Sequence, residues 1–159
     1  ICGLFVSGCA TPLRLDRDAS TAAKCIGAAQ GDVKFISYCE YAKGKEKEKF
    51  QRFYQGVVVL TPESLHVLRC KLLTSSSREE ISIPYSEMTG VGMGHFGRGT
   101  QVQILNGEQV VAIQITKNKA LLDREGSEQV LKFITVRGVC TFKSEKFYHP
   151  AFSRPTIVQ

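Results

Sequence analysis

The chain has 159 residues, 43% of them hydrophobic and 23% charged, with a formal net charge of +6. That much apolar material supports one domain around one core, and no Pro/Ser-rich linker divides it. A basic surface is drawn to anionic lipid headgroups or nucleic acid, so charge alone leaves both classes open.

Ile1 to Val6 is a short apolar run, followed by Ser7, Gly8 and Cys9. It is far shorter than the roughly 18–20 residues that span a bilayer. Small residues beside a cysteine fit the site of a lipoprotein signal peptidase, and the thiol takes the diacylglycerol. Val6-Ser7-Gly8-Cys9 therefore resembles the lipobox of bacterial lipoproteins. The resemblance implies that residues 1–8 are a truncated signal peptide and that Cys9 is lipidated, with residues 9–31 a tether carrying a short helix. The chain departs from the pattern in lacking an initiating Met and a basic region before the apolar run. Ala10 stands where an Asp would favour inner-membrane retention, which implies a bacterial cell-envelope protein at the outer membrane, facing the periplasm. Lipoproteins of this type carry more than one acyl chain and stay anchored. In that setting lipid, not nucleic acid, is the available anionic partner. The alternative is a short buried strand with an ordinary cysteine.

Ala19 to Ala29 reads as a short helix ended by Gly31. Asp32 to Tyr41 is rich in β-branched and aromatic residues, with Val33, Phe35, Ser37 and Cys39 on one face and Ile36 and Tyr38 on the other. Lys43, Lys45, Lys47, Lys49 and Arg52 follow in an exposed connection interleaved with Glu46 and Glu48. Gln55–Leu60 and Leu65–Cys70 flank Thr61-Pro62-Glu63-Ser64, a turn whose proline suits its second position. A hairpin there sets Leu60 against Leu65 and Val58 against Val67. Thr74 to Arg78 is a polar loop, and Ile81, Ile83 and Tyr85 share one side of the next strand.

Asn106-Gly107 suits a type I′ turn, which pairs Val102 with Val111 and Ile104 with Gln109. Ser127 is the expected N-cap of a helix over 128–137 with Val130, Leu131, Phe133 and Ile134 on its apolar face, stopped by Gly138. A last strand is expected at Val139–Phe142, with a tail over 143–159 that frays beyond Pro150.

Strands in a meander followed by one amphipathic helix imply a mainly β (α+β) fold, an antiparallel sheet or partly open barrel capped by a C-terminal helix. Gly56-Val-Val-Val-Leu-Thr61, Leu65-His-Val67, Ile81-Ser-Ile-Pro84 and Met88-Thr-Gly-Val91 resemble the pleckstrin-homology superfold and its GRAM-like and bacterial PH-like families. That resemblance covers about Phe50 to Val136, within a domain at 32–142. It implies a binding or scaffolding module with a headgroup site in the first strand connection, at Lys43, Lys45, Lys47, Lys49 and Arg52.

Other motifs stop short of chemistry. Gly92-Met-Gly94-His-Phe-Gly97 matches a phosphate-cradling loop, but a strand follows it instead of the required helix. It reads as a flexible or bulged connection. Cys25, Cys39, Cys70 and Cys140 remain after Cys2 and Cys9 are set aside, and an oxidising compartment allows disulfides among them in any pairing. No C-x-x-C pair occurs, and His66, His95 and His149 are isolated, so no metal or other cofactor is expected. The leading expectation is a non-enzymatic envelope lipoprotein that meets a protein or anionic lipid partner. The alternative is a soluble intracellular PH/GRAM-type lipid-headgroup-binding domain, and the third reading a small hydrolase centred on His66 or His95.

Overall fold

The computed structural model describes residues 11–45, 52–118 and 121–148. In chain order these form α1 (Leu15–Ile26), β1 (Phe35–Lys45), β2 (Tyr54–Leu60), β3 (Ser64–Arg69), β4 (Arg78–Pro84), β5 (Gly90–Phe96), β6 (Gly99–Asn106), β7 (Gln109–Thr116), α2 (Arg124–Thr135) and β8 (Thr141–Lys143). The strands make one sheet in the order β4-β3-β2-β1-β7-β6-β5-β8. Neighbours are antiparallel except β5 and β8, which run parallel.

The β2–β3 hairpin has the expected register, Leu60 opposite Leu65 and Val58 opposite Val67. Alternation then delivers Val58, Leu60, Leu65, Val67, Ile81 and Ile83 to one face, where they meet Val91, Val102, Ile104, Val111 and Ile113 from the other half of the sheet in a single core. The sheet must therefore curl on itself, and α2 caps the opening by burying Val130 and Ile134 in that core with Leu131 and Phe133 packed at its margin. This is the expected helix-capped antiparallel architecture, mainly β and PH-like.

Several boundaries differ for identifiable reasons. α1 runs from Leu15 to Ile26 and ends at Gly27, whose φ of 68° puts it in the left-handed region; the helix stops at the first glycine, not at Gly31. Ala19, Ala22 and Ala23 are small enough to let α1 lie close on the outer face of the sheet, against Ile36, Tyr38, Val57, Val59 and Leu68. Val33 joins this outer cluster instead of sharing a face with Phe35, because a 3-10 turn at Gln30–Asp32 redirects the chain before β1.

The β6–β7 turn is Gly107-Glu108, so Val102 pairs with Ile113 and Ile104 with Val111, a two-residue slide from the expected register. An even slide leaves every side chain on its expected face. α2 begins at Arg124, a turn earlier than expected, because Asp123 caps it by accepting the Gly126 N–H at 3.0 Å. Ser127 lies inside the helix instead, buried, accepting a hydrogen bond from Thr100 Oγ1 at 3.1 Å. The glycine-rich stretch is β5, a regular strand, and the reason lies in what crosses it. The expected fraying beyond Pro150 falls outside the described residues.

Candidate functional site

One end of the curled sheet carries a group of exposed basic residues. β1 leaves the core there, with Tyr41 opposite Tyr54, and Lys43 and Lys45 continue the same strand beside β7. β1 therefore extends past Tyr41, and Lys43 and Lys45 are exposed strand residues rather than part of the connection. Arg52 sits at the entry to β2. Lys47 and Lys49 lie outside the described residues, as does Cys9.

The register brings in residues that the sequence reading missed. Gly56 pairs with Arg69, and Arg69 with Arg78, so the ends of β2, β3 and β4 converge beside Tyr54. Arg69 Cζ lies 4.1 Å from the Tyr54 ring centroid and Arg52 Cζ 5.1 Å from it. Such guanidinium–ring contacts hold the heads in place while leaving their N–H groups able to bind an anion. Glu80 takes Arg78 at 3.0 Å and Arg69 at 3.6 Å. A cleft of about 390 Å³ opens here, lined by Arg52, Phe53, Tyr54, Gln55, Arg69 and Lys71 among others.

Beneath Tyr54 lies Tyr41, ring centroids 5.9 Å apart. A Cβ on Gly56 would come within 2.8 Å of the Tyr41 ring, so only glycine leaves that ring its place. The Tyr41 hydroxyl is buried and has no hydrogen-bond partner among the described residues. Burial, with Glu80 nearby, holds this phenol above the usual tyrosine range. A buried hydroxyl of this kind is an unspent donor under a cationic cleft.

The remaining candidates are scattered. Cys25, Cys39, Cys70 and Cys140 are all thiols, and no disulfide joins them among the described residues. Cys39 faces the core, whereas Cys25 and Cys70 border the α1 cluster on the opposite face of the sheet. Cys140 is exposed beyond α2. Burial pushes the Cys39 thiol well above its ordinary range.

His66 is not isolated: its Nδ1 lies 2.6 Å from Glu79 Oε1 and its Nε2 3.4 Å from Thr61 Oγ1. Thr61 Oγ1 is committed to the β2–β3 turn, donating to the Ser64 carbonyl and accepting the Ser64 N–H, both at 3.1 Å. Ser82 Oγ also lies 3.3 Å from His66 Nδ1, so the ring joins β3 to β4 and braces the β2–β3 turn. His95 is an exposed residue near the end of β5. Among the described residues no cluster of metal-ligating side chains occurs, and no helix is long and apolar enough to cross a membrane.

No family model and no curated protein matches the chain. Solved structures resembling it include an activated truncation of Vav1 in its apo form, 10% identical with a TM-score of 0.46 over 65% of this chain and 25% of that one. A Vav1 structure reporting a structural role for its PH and C1 domains is 11% identical, with a TM-score of 0.47 over 77% of this chain and 33% of that one. The C-terminal domain of an unknown protein from Leishmania infantum is 11% identical, with a TM-score of 0.43 over 73% and 93% of the two chains. The chain thus spans a third or less of the Vav1 structures it matches. Strand order and helix cap define the class by themselves: a PH-like β domain.

Proposed function

We propose that the protein is a non-enzymatic binding module whose basic cleft holds a phosphate-bearing lipid headgroup at an anionic membrane surface. The observation that carries this reading is the contact of both Arg52 and Arg69 with the Tyr54 ring beside Lys71. Arginine forks match phosphate oxygens two at a time, and a cleft open to water suits a charged headgroup better than an acyl chain. Glu80 holds Arg69 and Arg78 in an exposed network worth little by itself, so an arriving phosphate has little to displace. Lys43 and Lys45 extend the positive field along the same end of the sheet.

In this reading Cys9 carries a lipid anchor that keeps the module at a bacterial outer membrane, and the cleft selects among the surfaces within reach. The support for anchoring is the pattern Val6-Ser7-Gly8-Cys9.

Flotation with phosphatidylcholine vesicles, with and without phosphatidylglycerol, tests headgroup binding on unlipidated protein. Each basic residue near such a surface contributes about 1 kcal/mol, so Arg52→Gln with Arg69→Gln should weaken binding by about thirtyfold. Binding that is the same with neutral vesicles, or indifferent to both changes, overturns the headgroup reading. Changing Lys45, Lys47 and Lys49 to Gln measures what the basic run from the end of β1 onward adds. Labelling a full-length form with radioactive fatty acid tests the anchor separately: incorporation independent of Cys9 ends that part of the proposal.

A further inference from the structure

A length of the chain is seated on the outer face of β5 and β6. Beyond α2 the chain turns at Gly138, φ 86°, pairs with β5 as β8 and then crosses toward β6. Its seat has no side chains where the backbone passes. A Cβ on Gly92 would lie 2.7 Å from the Phe142 carbonyl oxygen and 2.8 Å from the Phe142 ring, and one on Gly94 would lie 2.6 Å from the Lys146 carbonyl oxygen. The glycine spacing that imitates a phosphate loop is therefore a track for polypeptide.

Beside this track stand Gln103 and Gln101, 2% and 0% exposed. Gln103 Nε2 donates to the Lys146 carbonyl at 2.8 Å, and Ser144 Oγ donates to Gln103 Oε1 at 2.6 Å. Gln101 Nε2 donates to the Tyr148 carbonyl at 3.0 Å while its Oε1 accepts the Tyr148 N–H at 3.1 Å. Two side-chain amides thus do for the segment what a neighbouring strand would do, and they address mainly its backbone. Water satisfies such amides when the segment lifts, and the apolar surface bared with them lies at the seat of Tyr148 beside Ala42, Val110 and Ala112 and at the contact of Phe147 with Phe96. Beside the segment lies a cavity of about 390 Å³, bordered by Gln103, Leu105, Phe142, Lys146 and Tyr148.

We propose that this face is a groove for extended polypeptide, filled in cis by residues 141–148 and able to take the same segment from a second copy of the chain. The occupant is specified by the fit, since this segment already satisfies both glutamines, and Gly138 supplies the pivot at which it can leave.

The test uses the full chain and a fluorescent peptide of residues 139–148 carrying Cys140→Ser. The Phe142→Ala chain loses the ring that covers Gly92, so its own segment competes less. It should bind the peptide about tenfold more tightly than the unchanged chain, and adding Gln103→Ala should remove that binding. Should Phe142→Ala fail to fold, Ser144→Ala, which deletes the hydroxyl's contacts with Gln103 and with the Lys146 backbone at a partly exposed residue, should shift affinity in the same direction by less. Folded variants that bind the peptide no better than a scrambled sequence overturn the groove. Refolding the unchanged chain at high concentration should also yield a dimer that excess peptide dissociates; a chain that stays monomeric overturns exchange between copies.

Discussion

Arg69 rests 4.1 Å from the centre of the Tyr54 ring although the two residues lie on different strands, and Gly56, not Tyr54, is the ladder partner of Arg69. The contact is diagonal, and it positions the guanidinium at the rim of the sheet. Arg69→Gln should lower affinity for phosphatidylglycerol vesicles by about 1 kcal/mol, roughly fivefold. The loss should shrink as salt is raised, because exposed charges are screened beyond roughly 10 Å at 0.1 M ionic strength. Thermal melting should move little, since the residue lies outside the core. Flotation at several ionic strengths, with a melt of each variant, checks both halves.

The helix cap should control stability. Ile134 is fully buried between α2 and the sheet, so Ile134→Ala should cost about 2–5 kcal/mol through lost transfer energy and the cavity left behind. Asp123→Ala removes the acceptor of the Gly126 N–H and should cost about 1 kcal/mol. Urea unfolding of both variants reads these values. Near-equal effects would mean that α2 is held by its cap as much as by its packing.

Tyr85 links pH to folding. Its hydroxyl donates to the carbonyls of Thr61 and Ser64, both at 2.9 Å, and burial raises its phenol above the ordinary value, partly offset by Arg137. A raised folded-state value means that the unfolded chain loses this proton first as pH climbs. The stabilisation is therefore complete below about pH 10 and declines above it. Tyr41 acts with the same sign. Tyr85→Phe should cost about 0.5–1.5 kcal/mol at neutral pH and flatten the alkaline decline. Urea midpoints measured from pH 8 to 11 give the slope.

Thiol reactivity should follow burial. Cys140 is exposed and should be alkylated in the native protein, whereas Cys39 should stay unmodified until unfolding. Peptide mapping after a brief maleimide pulse distinguishes the sites. Early labelling of Cys39 would mean that β1 opens far more readily than its core contacts imply.

The parts of the fold legible in the sequence are those decided by near neighbours. Thr61-Pro62-Glu63-Ser64 announces its turn, and the aliphatic alternation around it sets Leu60 against Leu65. α2 ends at Thr135, two residues short of the expected end, and Gly138 instead closes the turn that follows it, where a positive φ suits a residue without a Cβ. Where two local signals competed, the reading slipped. Ser127 and Asp123 can both cap a helix, and Asp123 prevails because Ser127 is drawn inward to Thr100. The β6–β7 register slid by two residues but kept its faces, since a period of two is insensitive to an even shift.

The candidate site was only half visible. Lys43, Lys45 and Arg52 stand out as a charge run, while Arg69 and Arg78 are separated from them along the chain and look like ordinary surface residues. Three strand registers bring them to one rim. Likewise Gly92 and Gly94 carry a familiar spacing whose purpose depends on Phe142 and Lys146, about fifty residues downstream. Sequence by itself determined which stretches are strands or helices, which way most side chains point, and that the chain is basic, because backbone propensity and hydrophobic period are set within a few residues. The tertiary structure alone decided which charges share a cleft and which glycines face a backbone, because those meetings depend on how distant strands pair and how the sheet curls around its core.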